Sequence, residues 1–293
     1  MKRRQFVNTL GLSGLSLAAL SSFTWKELMV EFQIREVRDG VFVYTNRGGT
    51  IMFQQSDAGW IVVDTQFPDQ SKELVAELKN RAAAPIGLLI NTHHHGDHSS
   101  GNIVYKDWAK DLVAHENSLK NQKASTKGKE DSQWYPTITY TDKWTKKIGG
   151  KEISLTYLGA GHTDGDSWVH FEDANVVHTG DLLFNRRSPY VDKSAGANVS
   201  SWIEVLEKAQ AKFDNDTKFV FGHCADGYDI IGSKADLKAF QRYLSQSYDM
   251  VKKKLASGVS GDDIKALKAY DFQTEWGTDG MERIMSALVQ ELS

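Results

Sequence analysis

The sequence predicts a mixed α/β (α+β) fold, arranged as a four-layer αββα sandwich. Short β-rich runs alternate with amphipathic helical stretches, and three of these runs lead to a glycine followed directly by a histidine or an aspartate. The chain has 293 residues, 40% of them hydrophobic and 25% charged, with only four prolines and no Pro/Ser-rich linker. This composition favours one enzyme-sized domain, which we expect to span residues 25–293 and to include C-terminal helices.

The first half of the chain predicts antiparallel strands, then a helix, then a buried strand. Strands are predicted at residues 41–44, 50–53, 60–64, 86–91 and 112–114. The turn Asp57-Ala58-Gly59 joins the second of these strands to the third. A helix is predicted at residues 71–83, because Leu74, Val75 and Leu78 share one face. Another helix is expected to begin at Glu116.

The second half predicts a hairpin and then the longest helices. Gly149-Gly150 marks a turn into a strand at residues 152–158, and shorter β-rich runs follow at 174–178 and 218–221. Ser201 and Glu204 fit a capping box that would begin a helix. The longest helix is predicted at Lys234–Ala256, where apolar residues recur every three or four positions. Two more helices, at residues 262–268 and 281–292, are expected to cover the sandwich.

The most informative motif is THHHGDH at residues 92–98, which begins where a predicted buried strand ends. Histidine is the commonest protein metal ligand near neutral pH, because its imidazole is largely uncharged there. Residues two apart in extended backbone point the same way, so His93 and His95 can share one ion while Asp97 and His98 turn toward a second. The alternative is a surface histidine cluster or part of a purification tag, but a tag would be terminal and uninterrupted by Gly-Asp.

Three further candidate ligands follow later β-rich runs: His162, Asp181 and His223. Each of them comes directly after a glycine, which lets the backbone turn sharply and approach an ion closely. Loops at one end of a rigid sheet commonly carry binding residues. The sequence therefore predicts that these side chains join the histidine motif in one metal centre.

In its order of ligands, this pattern resembles the metallo-β-lactamase superfamily, from about residue 41 to residue 223 and more loosely to the C-terminus. The resemblance implies the αββα sandwich of that superfamily, with metals at one edge between the two β-sheets. It also implies two metal positions that share one bridging carboxylate. The implied ligands are His93, His95 and His162 for the first ion, Asp97, His98 and His223 for the second, and Asp181 between them. His94 falls at the variable position of the motif.

The implied ligands offer nitrogen and oxygen but no thiolate, which suits zinc and leaves iron or manganese open. Two ions about 3.5–4 Å apart can hold a bridging water whose pKa falls to near 7. The resemblance thus implies a di-zinc hydrolase in which a metal-bridging hydroxide attacks an ester, thioester, lactone or amide carbonyl. Asp97 and Asp181 are the predicted catalytic carboxylates.

Three other functions stay open from the sequence. β-Lactam hydrolysis is one alternative, although zinc β-lactamases typically carry Cys or Ser at the position of Asp181, where glyoxalase II and lactonases carry Asp. Persulfide dioxygenases bind a single iron through a His-His-Asp set that this chain contains, so an iron-dependent redox enzyme is a second. A non-catalytic metal-binding protein is the third.

The expected partner at the site is a small-molecule substrate. Arg186 and Arg187 are predicted to bind a substrate carboxylate, because a guanidinium suits bidentate recognition, although a solvated loop is the alternative for at least one of them. Asp64 matches an aspartate that steadies the histidine loop in the superfamily, and an ordinary turn residue is the alternative. The Arg47-Gly48-Gly49 segment is predicted to be a mobile flap over the site.

The N-terminus predicts an export signal at residues 1–24. Lys2, Arg3 and Arg4 precede a weakly apolar stretch that is too short to span a bilayer, and the Arg-Arg-x-Phe core resembles a twin-arginine signal. We therefore expect contact with export machinery, a periplasmic or otherwise exported location, and no stable membrane span in the mature protein; a disordered basic tail is the alternative. Loss of these three positive charges takes the net charge from −3 to −6, which argues against nucleic acid as a substrate.

Overall fold

Two stacked β-sheets form the centre of the structure, a computed structural model that describes residues 32–293. In chain order the strands are β1 (Gln33–Arg38), β2 (Val41–Thr45), β3 (Ile51–Ser56), β4 (Gly59–Val63), β5 (Ile86–Ile90), β6 (Leu112–His115), β7 (Ile138–Tyr140), β8 (Lys143–Ile148), β9 (Lys151–Thr156), β10 (Trp168–Phe171), β11 (Val176–His178), β12 (Phe184–Asn185), β13 (Lys218–Val220), β14 (His223–Cys224) and β15 (Ile231–Gly232). The first sheet has the order β1-β2-β3-β4-β5-β6-β7, and the second has the order β15-β13-β11-β10-β9-β8. Strands β12 and β14 pair separately.

Helices lie along the outer faces of both sheets, which confirms the predicted mixed α/β sandwich. The α-helices are α1 (Pro68–Arg81), α2 (Gly96–Ser99), α3 (Asn102–Tyr105), α4 (Glu116–Ser125), α5 (Val199–Lys212), α6 (Lys234–Ala256), α7 (Gly261–Lys265) and α8 (Met281–Leu292). Short 3-10 turns occur at Glu130–Ser132, Gly180–Leu182 and Lys193–Ala195. The helices α6 and α8 have the bounds that the apolar periodicity predicts.

The core between the sheets follows from the alternation of side chains along each strand. Residues two apart point to the same face of a sheet, and pairs with this spacing are fully or almost fully buried here. They include Val41 and Val43, Ile61 and Val63, Leu88 and Ile90, Ile153 and Leu155, and Val169 and Phe171. A second core joins the other face of the second sheet to α5, α6 and α8, with Trp168, Phe219, Trp202, Phe240 and Leu288.

Parallel strands bring the candidate ligand loops to one edge of the sandwich. In the first sheet, β4, β5 and β6 run parallel, and in the second sheet β11 and β13 run parallel. The carboxyl ends of parallel strands meet at the same edge. The histidine motif follows β5, the Asp181 turn follows β11 and His223 follows β13.

The predicted start of α5 is wrong. The helix begins at Val199, and its cap is Asn198, whose side chain accepts a hydrogen bond from the Ser201 amide. The carboxylate of Glu291, on α8, accepts the amides of Val199 and Ser200 at 2.9 Å each. Because these contacts satisfy the first free amides of the helix, the helix starts before the predicted Ser201 box. A capping box is present instead at the start of α6, between Ser233 and Asp236.

The predicted export signal at residues 1–24 lies outside the described residues, so that prediction and the domain start at residue 25 stay predictions. The part of the chain from Gln33 to Ser293 forms one compact unit. Among residues 32–293, no helix combines the length and the apolar character that crossing a bilayer requires.

Candidate metal centre

Four of the predicted ligands form a first group at the edge of the sandwich. Donor atoms of His93, His95, His162 and Asp181 all lie within 4.8 Å of one another. His95 Nδ1 is 3.1 Å from His93 Nε2 and 2.8 Å from His162 Nε2. His162 Nε2 lies 3.6 Å from Asp181 Oδ2. Nitrogen donors this close surround a position that one small cation can share.

The other three predicted ligands, Asp97, His98 and His223, form a second group. His223 Nε2 lies 3.1 Å from Asp97 Oδ2, and His98 Nε2 lies 3.8 Å from the same oxygen. Asp181 connects the two groups: its Oδ1 is 3.1 Å from His98 Nε2, and its Oδ2 is 3.5 Å from His223 Nε2. The structure therefore brings together every residue that the motif predicts as a ligand, with Asp181 between the two groups.

The chemistry of the donors fits bound cations. His98 Nε2 and Asp181 Oδ1 are buried 3.1 Å apart, and neither has any other hydrogen-bond partner among the described residues, although buried polar atoms are nearly always fully paired with protein, water or an ion. Burial lowers the pKa of His162 to about 3, so its imidazole is neutral and able to ligate. Burial opposes ionisation of Asp181, but His223 and His98 outweigh it and hold the pKa of its carboxyl well below the usual range.

The carboxylates at the second group favour a positive charge between them. Burial alone would lower the pKa of His98, but the carboxylates of Asp181 and Asp97 raise it well above its ordinary value. Burial opposes ionisation of Asp97 as well, and His98 and His223 nevertheless lower its pKa to about 2. Two ionised carboxylates beside buried imidazoles are the environment in which a dication replaces a proton.

Outer contacts fix the direction of the His98 and His162 rings. His98 Nδ1 lies 2.7 Å from Asp64 Oδ2, and Asp64 also accepts the amide and hydroxyl of Thr92 at 2.7 Å each. Asp64 is fully buried and has a left-handed backbone, with a φ of 65°. The hypothesis that Asp64 steadies the histidine loop agrees with these contacts. His162 Nδ1 lies 2.8 Å from the carbonyl of Tyr190.

Glycines let the backbone pass very close to the ligands. A Cβ added at Gly49 would lie 2.1 Å from His98 Cε1, and one added at Gly222 would lie 2.0 Å from Asp181 Oδ1. The Gly49 amide donates to the carbonyl of Asp97 at 3.1 Å, and its own carbonyl accepts from Gln66. The Gly49 end of the predicted flap is thus hydrogen-bonded to the site.

The decisive comparison is with a family model described as the metallo-beta-lactamase superfamily, which matches residues 44–223, more than half of the chain. The chain belongs to this superfamily. Metallo-beta-lactamase IND-1 of Chryseobacterium indologenes is 26% identical over 185 residues, which cover 63% of this chain and 75% of that protein. Metallo-beta-lactamase type 2 of Bacteroides fragilis is 25% identical over 205 residues, covering 66% and 79%. This superfamily member is a metal-dependent hydrolase, and its His and Asp donor atoms are close enough together to be candidate metal ligands.

Solved structures show the same superfamily fold. A metallo-beta-lactamase from Pontibacter korlensis aligns with a TM-score of 0.62 and 20% identity, covering 73% of this chain and 99% of that one. A double mutant of the sec-alkyl sulfatase PisA1 aligns with a TM-score of 0.70 and 12% identity, covering 88% of this chain and 50% of that one. At these identities the likeness establishes the fold alone.

The two predicted substrate-binding arginines of this superfamily member have different surroundings. Arg186 pairs with Asp236 at 2.7 Å and with Glu275 at 2.8 Å, and its guanidinium lies 5.1 Å from the centre of the Trp276 ring. Arg187 is exposed and makes no ion pair with another residue of the described chain. The charge of Arg186 is therefore paired with carboxylates of the protein. Arg187 has no such ion pair among the described residues, so its charge is available to a ligand.

Sequence reasoning missed one residue at the first group. Asp192 is 6% exposed, and its Oδ2 lies 2.8 Å from His95 Nε2 and 3.6 Å from His94 Nε2. It follows Pro189-Tyr190-Val191, which carries no metal-site pattern, and only the fold brings it to the histidine motif. His94, at the variable position of the motif, lies outside both main groups and beside Asp192.

Proposed function

We propose that the protein is an exported di-zinc hydrolase that cleaves an ester, thioester, lactone or amide. The observation that carries the proposal is the pair of ligand groups that share Asp181, each with its own set of histidines. His93, His95 and His162 would hold one ion, Asp97, His98 and His223 would hold the other, and Asp181 would contact both. A complete second group favours a two-metal hydrolase over an enzyme with a single iron.

Bound zinc ions would supply a water molecule of lowered pKa and a positive charge that polarises the scissile carbonyl. Asp97 is the candidate ligand with the most exposed carboxylate, 29%, and its Oδ2 lies 3.1 Å from His223 Nε2. Its low pKa keeps this carboxylate ionised, so it can accept a hydrogen bond from the attacking water and orient it toward the substrate. Asp181 is 5% exposed and serves to hold the two positions together.

A cavity of about 410 Å³ beside the second group is the proposed place of the substrate's remote part. Its lining includes Arg187, Tyr228 and Cys224, and Cys224 directly follows His223. Arg187 can pair with a substrate carboxylate because it makes no ion pair with another described residue, although Asp226, Glu275 and Asp279 also line the cavity. Arg186 lines the same cavity but is paired with Asp236 and Glu275, so we assign substrate recognition to Arg187 and a supporting role to Arg186.

β-Lactam hydrolysis is a second candidate, because both relatives compared above are metallo-beta-lactamases. Asp181 favours the first candidate, since zinc β-lactamases typically carry Cys or Ser there. The deciding experiment is a panel of lactone, thioester, chromogenic ester and β-lactam substrates assayed with the zinc-loaded protein. Turnover of a β-lactam alone would select the second candidate, and no turnover of any substrate would contradict both.

The loaded protein is expected to hold two zinc ions per chain. Each ligand group contains enough donors for one ion, and the shared Asp181 offers one oxygen toward each of His98 and His162. Elemental analysis after dialysis against buffered zinc measures the ratio. A single tightly bound iron that confers oxygen-dependent activity would instead select the redox alternative.

The Arg3→Lys, Arg4→Lys double variant is expected to accumulate in the cytoplasm as the uncleaved precursor. The twin-arginine pair is read by a receptor, so a change that keeps the charge but alters both side chains should prevent export. Fractionation of cells that carry the parent or the variant measures this. A Lys2→Arg variant is the control, because it leaves the pair intact, and unchanged export of the double variant would contradict the signal.

A further inference from the structure

The two ring nitrogens of His95 contact different neighbours. Its Nδ1 faces the first ligand group, 3.1 Å from His93 Nε2 and 2.8 Å from His162 Nε2. Its Nε2 points away from that group and lies 2.8 Å from Asp192 Oδ2. A neutral imidazole has one N–H and one free lone pair. A carboxylate only accepts, so the hydrogen bond to Asp192 places the proton of His95 on Nε2.

Asp192 is held in place by its own turn. Its Oδ1 accepts from the amides of Ser194 at 3.1 Å and Ala195 at 3.2 Å, and from the Ser194 hydroxyl at 2.5 Å. These bonds cap the 3-10 turn Lys193–Ala195. The carboxylate is 6% exposed, so water has little access to it. Its other oxygen, Oδ2, is thereby directed at His95.

The same segment holds a second ligand of the first group. The Tyr190 carbonyl lies 2.8 Å from His162 Nδ1, and the Asp192 amide donates to the His162 carbonyl at 3.3 Å. The second group has a separate support, because His98 Nδ1 is bonded to Asp64. The segment from Tyr190 to Ala195 therefore contacts two histidines of the first group, whereas Asp64 contacts His98 directly and reaches His93 only through the Thr92 hydroxyl, 3.0 Å from His93 Nδ1.

We propose that Asp192 is a positioning residue for the first metal position: it fixes the ring direction and tautomer of His95, so that Nδ1 is the free donor. This inference rests on the proposed two-metal function. His94 Nε2 lies 3.6 Å from the same Asp192 oxygen, and His94 Nδ1 is buried without a partner. A third metal ion bound by His94 and Asp192 is the competing explanation, and the experiment below separates the two.

The test is the Asp192→Asn variant. Asn keeps an oxygen that can accept from the Ser194 and Ala195 amides, but its NH₂ group replaces Oδ2 and donates to His95 Nε2. The His95 proton must then move to Nδ1, the atom that should bind metal. We expect one of the two zinc ions to bind about 10- to 100-fold more weakly, the usual effect of losing an outer partner of a ligand. Competition with a chelator measures both affinities, and the visible spectrum of the cobalt-loaded protein reports the altered position.

The matched control is Asp214→Asn. Asp214 also accepts hydrogen bonds in a local turn, from the Asp216 amide at 2.8 Å and the Thr217 amide at 2.9 Å. It precedes β13, whereas His223 follows the other end of that strand. This variant should keep both zinc affinities. If Asp214→Asn lost as much zinc affinity as Asp192→Asn, removal of any turn carboxylate would weaken zinc binding, and the proposal would be overturned.

Two further measurements test the His95 tautomer directly and test for a third zinc ion. Nitrogen-15 NMR of the metal-free parent should show the His95 proton on Nε2, and a proton on Nδ1 would overturn the proposal even if Asp192→Asn failed to fold. A third zinc ion in the parent, lost in His94→Gln, would replace the proposal with a third metal site. Zinc affinity is measured without substrate. If Asp192→Asn weakened zinc binding while the parent protein hydrolysed none of the panel, the proposed function would be contradicted. The role of Asp192 would still be supported.

Discussion

Asp181→Asn is expected to keep the fold, bind one of two metal ions much more weakly and lose turnover at least about 10-fold. Asp181 lies between the groups: its Oδ1 is 3.1 Å from His98 Nε2, and its Oδ2 is 3.6 Å from His162 Nε2 and 3.5 Å from His223 Nε2. Asn preserves the shape but removes the negative charge and one of the two acceptor oxygens. The charge offsets the repulsion between two neighbouring dications, so its loss should release the more weakly held ion.

Metal content and turnover should be measured together at a fixed free zinc concentration. Asp173→Asn is the control, because Asp173 is an exposed carboxylate that accepts the Glu152 amide at 2.9 Å before β11, at the end of that strand opposite Asp181. It should retain two ions and parental turnover. If Asp181→Asn also retained two ions and near-parental turnover, Asp181 would not be a bridge and the assignment of both groups would be wrong.

The candidate ligands could be predicted from the sequence because residue type and spacing together encode their chemistry. Histidines two apart after a buried strand share a face, and glycines mark the places where the backbone can come close to an ion. The structure brings these residues together, and their role as metal ligands stays a prediction. The role of Asp64 was predicted only through the resemblance to the superfamily; in the structure it directly follows the strand beside the one that precedes the histidine motif.

Asp192 could not be predicted, because its partner His95 is 97 residues away and its local sequence fits an ordinary turn. The difference between Arg186 and Arg187 is also tertiary. The two are adjacent in the chain, but only Arg186 meets Asp236, which the packing of α6 beside β12 supplies. Residue type indicated a possible anion site, and only the fold separates the paired arginine from the available one.

The predicted elements were most accurate where apolar periodicity is strong. The bounds of Lys234–Ala256 were predicted as observed, because its buried residues recur with the helical period. Strand β8 was missed because its sequence, KWTKKI, is mostly polar and only Ile148 is buried. It is an edge strand paired with β9 alone, and exposed lysines are common on edges because they oppose association with another chain.

Gly222→Ala is expected to lower turnover about 100-fold, although the substitution adds a single methyl group. The added Cβ would lie 2.0 Å from Asp181 Oδ1, far inside van der Waals contact. The Gly222 backbone cannot easily move away, because its amide donates to the Gly180 carbonyl at 2.9 Å and its carbonyl accepts from the Thr50 amide at 3.0 Å. Asp181 must therefore shift, which displaces the carboxylate shared by both ligand groups.

Metal content, turnover and unfolding temperature of Gly222→Ala together separate a local effect from a general one. Gly261→Ala is the control for overpacking away from the site: at the first residue of α7 the added Cβ meets only Val289 Cγ1, at 2.9 Å, in the core beside α8. Alanine also favours a helix, so this variant should keep both ions and full turnover. A folded Gly222→Ala protein with two ions and parental turnover would show that the position of Asp181 does not govern the site. Loss of metal together with turnover, in a protein that still unfolds cooperatively, is the expected result, because overpacking at one carboxylate disturbs the shared ligand before it disturbs the core.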